Sequence, residues 1–162
     1  MISAAVAILG FVTLQRLAEL PLASRNTRRL IADGAHEHGA GHYPLLVALH
    51  AGWLAALWWW APGRPVHLPV LALFAVLQLG RLWVIATLGR RWTTRIIVLP
   101  GAPLVRRGPY RLVDHPNYIV VALEIAVLPL VFGLIELALI FSLLNAAILF
   151  VRIRSENRAL SR

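Results

Sequence analysis

The chain has 162 residues, 59% of them hydrophobic and 14% charged, with a mean hydropathy of +0.73. An ordinary soluble domain is about 45–50% apolar and about 25% charged. The composition therefore points to an integral membrane protein, and it is too apolar for a disordered chain. There is no cysteine, which excludes a disulfide framework, a thiolate zinc site and a catalytic thiol. The net charge of +9 rests on sixteen Arg and no Lys. These Arg lie between long apolar runs, which fits a membrane surface rather than nucleic acid.

Five apolar segments follow in chain order: 2–20, 43–60, 68–88, 118–132 and 134–151. A spanning helix needs about 20 residues, with a range of about 17–25. Four segments meet that length. The fourth is shorter, and Gly133 joins it to the fifth without a real loop. The prediction is a single membrane-embedded domain over 1–162, all-α, with five transmembrane helices. The last two form a tight helical hairpin, and a cytoplasmic extended loop precedes the fourth. The first segment lacks a basic n-region and carries Arg16 and Glu19, so it does not read as a cleaved signal peptide.

Arg placement sets the expected topology. Thirteen Arg fall on one side: Arg25, Arg28 and Arg29 after helix 1, six between Arg90 and Arg111, and Arg152, Arg154, Arg158 and Arg162 in the tail. Only Arg64 falls on the other. The reading is N-terminus outside and C-terminus in the cytoplasm, with Trp58, Trp59 and Trp60 as an outer aromatic belt. Residues 93–116 form the one long non-helical stretch. The β-branched run 96–99 followed by Pro100-Gly101 predicts an extended hairpin on the cytoplasmic face.

Ionisable groups inside spans are costly and usually functional. Arg16, Glu19, His50, Arg81, Glu124 and Asn145 occupy the inner half, with Gln78 near mid-span. This one-sidedness suggests a polar cavity open to the cytoplasm. Asn117 and Glu124 share a helix face, as do Gln78 and Arg81. Asn145, Arg152 and Glu156 form a stripe if helix 5 continues beyond the membrane. Glu124 needs a partner such as Arg81, or it must stay protonated. Arg16 and Glu19 are expected to pair with each other at i, i+3. His50 has a plainer alternative as a core histidine bonded to a nearby carbonyl. The segment GAHEHGAGHYP (34–44) offers His36, His38 and His42, but without further ligands a metal site is disfavoured. A flexible loop or a substrate lid is the alternative. Arg106, Arg107 and Arg111 suit lipid phosphates or an anionic group on a cofactor or substrate.

Residues 107–118 read RGPYRLVDHPNY and the tail 152–160 reads RIRSENRAL. Together they resemble the isoprenylcysteine carboxyl methyltransferase family, small integral-membrane enzymes that use S-adenosyl-L-methionine. The stretch 88–118 is the most specific part, and Glu37, Gly39, Gly41, His42, Tyr43 and Pro44 resemble a loop of bacterial members. Some of those relatives methylate hydroxyl groups of long-chain alkylpyrones or alkylresorcinols made by type III polyketide synthases. Three departures stand out. Asp114 replaces an Arg before His115, no Gly follows Tyr118 at the usual offset, and Asn157 replaces the second Glu of the tail.

The resemblance implies a cofactor pocket built from Tyr110, Arg111, His115, Pro116, Asn117, Tyr118 and Glu156. Tyr118 and His115 would meet the nucleoside, and Glu156 the ribose or amino group. Arg111 would hold the turn or meet the methionyl carboxylate. The acceptor is expected to be a lipophilic or prenylated amphiphile entering from the bilayer, with Glu37, His42, His50 and Asn145 on its path. Arg81 or Arg152 would orient its oxygen, with Glu124 anchoring that Arg or acting as base; the anchoring role is preferred. Methyl transfer from a sulfonium needs in-line alignment and exclusion of water. A carboxylate acceptor needs only an Arg to place it, whereas a hydroxyl benefits from a base such as Glu124, His50 or His115. Membrane lipids are expected partners and nucleic acid is not. Two other classes compete: a membrane reductase using a nicotinamide cofactor, and a small scaffold or transporter subunit.

Overall fold

In a computed structural model, residues 3–160 are described. The predicted start of the first apolar segment at residue 2 and the tail's Arg162 lie outside them. Five α-helices run in order: α1 (Ala4–Ala32), α2 (Tyr43–Trp60), α3 (Leu68–Leu88), α4 (Pro116–Val131) and α5 (Ile135–Ala159). Two short strands, β1 (His36–His38) and β2 (Ile96–Val98), pair antiparallel, with Glu37 opposite Ile97. Three helices are long and apolar enough to cross a membrane: α1, α3 with its following turn to Arg91, and α5. At sixteen residues α4 is shorter.

Two helices outrun their apolar segments. α1 continues twelve residues past Leu20, through Pro21. Ala23, Asn26 and Leu30 recur at helical spacing and are buried, while Arg25, Arg28 and Arg29 point outward. The amide of Asn26 donates to Gly89 O at 3.1 Å and to Trp92 O at 2.8 Å, tying this extension to the end of α3. α5 likewise runs to Ala159, so the stripe Asn145, Arg152, Glu156 lies on one continuous helix. α4 begins at Pro116 rather than Tyr118, because the fixed φ of proline suits the first helical position, where no N–H is needed.

The core lies where α2, α4 and α5 meet α1 and α3. Leu9, Trp53, Leu57, Phe74, Ile125, Leu128 and Val131 are its fully or nearly buried members. Trp53 Nε1 donates to Ile125 O, so its one polar atom is satisfied inside the bundle. Phe132–Leu134 connect α4 to α5, and the two helices pack along each other. Large apolar side chains such as Leu14, Leu79, Trp59 and Leu143 remain exposed on the outer surface. That arrangement suits lipid and not water.

The stretch 93–116 is not a self-paired hairpin. β2 takes β1 as its partner, from the 34–44 segment, and that segment is accordingly a strand followed by a short helical turn over Ala40–His42. The arm after Pro100-Gly101 carries Pro103, which has no N–H to give a ladder. Glu37 adds an ion pair to Arg95 at 2.7 Å. The turn Gly108–Arg111 then packs on α3. Gly108 has φ +54°, and a Cβ there would come within 2.5 Å of Thr87 Oγ1, so the turn requires glycine.

Candidate functional site

Four of the inner-half residues, Arg16, Glu19, Arg81 and Glu124, lock together with Gln78. Arg81 Nε and Nη2 donate to the two oxygens of Glu19 at 2.6 and 2.5 Å, and Arg81 Nη1 donates to Glu124 Oε2 at 3.0 Å. Arg16 Nη2 donates to the same Glu124 oxygen at 2.8 Å, and Gln78 Nε2 to Glu124 Oε1 at 2.8 Å. The local Arg16–Glu19 pair is present, but at 3.5 Å it is the loosest of the four ion pairs. Two carboxylates and two guanidiniums neutralise each other there. Glu124 is 1% exposed and has three donors. His50 Nδ1 lies 2.9 Å from Leu46 O, the plainer of its two readings.

A cleft of about 180 Å³ opens elsewhere, at the Arg-rich end. One wall is the start of α4 and the end of α5: His115, Asn117, Tyr118, Arg152 and Glu156, with Tyr110 and Asp114 before them. The opposite wall is 91–105 with Leu30 of α1. Tyr118 OH donates to Glu156 Oε2 at 2.5 Å. The His115 and Tyr118 rings stack with centroids 5.5 Å apart, and the Arg152 guanidinium lies 5.7 Å from the Tyr118 ring centre. His115 Nε2 is 3.1 Å from Asn157 Oδ1, so the residue that departs from the family pattern orients the histidine. Burial, reinforced by the negative charge of Glu156, pushes the Tyr110 phenol well above its ordinary pKa, so it stays a neutral hydroxyl.

Of the predicted cofactor residues, Tyr110, His115, Asn117, Tyr118 and Glu156 come together in this cleft with Arg152. Arg111 is exposed outside it, and Pro116 is buried as the first residue of α4. Glu124 and Arg81 belong to the ion cluster and do not line the cleft. Glu37 is engaged with Arg95, and His42 packs its ring on Gly39. Asn145 is 1% exposed, and its Oδ1 has no partner. Two unpaired buried nitrogens belong to cleft-lining residues, Trp92 Nε1 and Arg152 Nε.

Trp92, Thr94 and Arg95 fall in the stretch 88–118 that resembles the family, but none was singled out as a site residue, and nothing local distinguishes Arg95 from its neighbours. Its partner Glu37 is 58 positions away, and the strand pairing that brings them together is too short to read from sequence.

No solved structure matches the chain. It is 35% identical to Uncharacterized protein YpbQ of Bacillus subtilis (strain 168) over 166 residues, which covers 94% of each chain. The pattern of the isoprenylcysteine carboxyl methyltransferase family matches residues 70–162, which include most of α3, the cleft lining other than Leu30, the GPYR turn and the tail. With more than half its length matched, carrying the turn and tail that build the cleft, the chain belongs to the isoprenylcysteine carboxyl methyltransferase family.

Proposed function

We propose that this protein transfers a methyl group from S-adenosyl-L-methionine to a carboxylate or acidic hydroxyl oxygen of a lipophilic acceptor, isoprenylcysteine-like or alkylpyrone- or alkylresorcinol-like. It works in the bacterial plasma membrane, with five spans, the N-terminus outside and the cleft on the cytoplasmic side. The observation that carries the reading is the cleft itself. Aromatic rings, a carboxylate and a guanidinium from the family's turn and tail converge there, opposite a wall that mixes Leu30, Ile97 and Leu99 with Arg91 and Arg95.

Two features fit the cofactor. His115 and Tyr118 form one stacked aromatic surface beside Glu156, whose second oxygen is left for a ribose or amino donor once Tyr118 occupies the first. Trp92 Nε1 and Arg152 Nε, buried and unpaired, supply donors in the wall. When bound, S-adenosylmethionine supplies an electrophilic methyl carbon on a sulfonium. The chain's own work is then placement. Arg152 draws an anionic acceptor oxygen towards the cleft, beside the apolar side chains of Ile97, Leu99 and Leu104. Arg81 and Glu124 act at a distance, by holding α1, α3 and α4 in register.

The test is purified protein with isotopically labelled methyl donor and extracted lipids. Label recovered in an apolar product, together with S-adenosylhomocysteine binding by calorimetry, supports the reading. Binding of a nicotinamide nucleotide in its place overturns it. Cysteine labelling at positions 64 and 107 from opposite sides of the membrane supports the topology, and labelling of both from one side rejects it.

A further inference from the structure

A continuous chain of polar contacts runs from the N-terminal third of the protein into the cleft. Glu37 on β1 accepts from Arg95 Nη1 at 2.7 Å. The Arg95 guanidinium lies 4.3 Å over the Tyr43 ring. Tyr43 OH is 3.0 Å from Thr94 Oγ1. Thr94 O accepts from Arg152 Nη2 at 3.1 Å, and Arg152 is the guanidinium that lies over Tyr118 in the cleft wall. The pairing of β1 with β2 fixes Glu37 opposite Ile97, two positions from Arg95. The ion pair with Glu37, strengthened by Tyr43, raises the Arg95 pKa above its ordinary value, so the link stays charged.

We infer that Tyr43 and Glu37 are positioning residues for Arg152, acting through Thr94 and Arg95 and not by touching the acceptor. Arg152 has a long side chain with several rotamers, and its Nε is buried without a partner. The Thr94 carbonyl is the hydrogen bond that picks one orientation, and Tyr43 fixes the residue that offers it. Both positioning residues lie outside the span 70–162 matched by the family pattern, so the first third of the chain completes a cleft built from the last two thirds. The consequence for ligand binding rests on the reading of the cleft given above; the positioning of Arg152 does not.

The experiment has two readouts on the full chain in detergent micelles. The first is the Arg152 Nε–H resonance, assigned by its loss in Arg152→Lys and measured without ligand. It should shift in Tyr43→Phe and Glu37→Gln and return towards wild type in Glu37→Asp. An unmoved resonance in both of the first two variants overturns the inference. The second is S-adenosylhomocysteine affinity by calorimetry. Tyr43→Phe and Arg152→Ala should each weaken it about threefold to tenfold, the range expected for one hydrogen bond. The double variant should be no weaker than Arg152→Ala alone. Losses that multiply in the double variant mean that Tyr43 acts by another route, and overturn the inference. A shifted resonance with wild-type affinity in Arg152→Ala upholds the positioning and leaves Arg152 to the acceptor alone.

Discussion

The buried ion cluster and the cleft use the same side-chain types, Arg and Glu, yet they are finished differently. In the cluster, both carboxylates carry a charged donor, and Glu124 carries three donors. In the cleft, Arg152 keeps an unpaired Nε, and Glu156 takes one hydroxyl on one oxygen. The cluster also leaves Arg16 Nε unmatched, but its carboxylates are fully engaged, and such a buried network is expensive to break. Groups left incomplete beside an open volume are the ones a ligand can complete. Burial alone therefore does not single out the groups with hydrogen-bonding capacity to spare. The most buried carboxylate is the one best explained by structure.

The largest effect should come from breaking the cluster. Glu124→Gln keeps the shape but leaves Arg16 and Arg81 facing a neutral amide, and removing one partner of a buried pair costs about 3–5 kcal/mol. Thermal unfolding in micelles should show that loss, while the folded fraction still binds S-adenosylhomocysteine normally. Depressed turnover with wild-type stability would instead make Glu124 a base, and wild-type behaviour in both would leave the contrast between the two regions without support.

The cleft should respond in the opposite way. His115→Ala and Glu156→Ala should each weaken S-adenosylhomocysteine by tenfold or more, since a hydrogen bond to a charged group contributes about 1.5–3 kcal/mol. Their melting temperatures should stay close to wild type. Calorimetry beside a thermal melt checks both halves, and unchanged affinity in both variants would move the cofactor elsewhere.

Asn26→Ala sharpens the comparison at the border between the regions. It removes two hydrogen bonds, to Gly89 O and Trp92 O, at roughly 0.5–1.5 kcal/mol each. The expected result is a modest loss of stability with faster hydrogen exchange in 89–98, where α1 holds the cleft wall. Exchange unchanged there would mean that α1 does not brace it.

The smallest effect concerns pH. Burial, followed by the positive charge of Arg152, lowers the His42 pKa in the folded protein. The unfolded chain therefore takes up this proton first as pH falls. The His42 contribution is flat above about pH 7 and becomes destabilising as pH drops through about 6.5 towards the lowered value. Melts at pH 7.5 and pH 5 should differ less in His42→Gln than in wild type. An equal difference would show that His42 is not held neutral.

The sequence by itself determined the membrane class, the helices at 43–60 and 68–88, and the grouping of Tyr110, His115, Asn117, Tyr118 and Glu156. Apolar length marks the helices, and the grouping followed from the resemblance of the turn and tail to the family, since Tyr118 and Glu156 are 38 positions apart. It also carried the need of Glu124 for a cationic partner, because an isolated carboxylate in an apolar helix has no other stable state than protonation. Only the tertiary structure decided that Arg16 and Glu19 reach past each other to Glu124 and Arg81, and that β2 pairs with β1. Only the fold, too, routes Arg152 through Thr94 to Tyr43. Each of those contacts joins segments 51 to 108 positions apart or a strand of three residues. Side-chain geometry between distant elements leaves no periodic trace in the chain, so it is settled only when the helices pack.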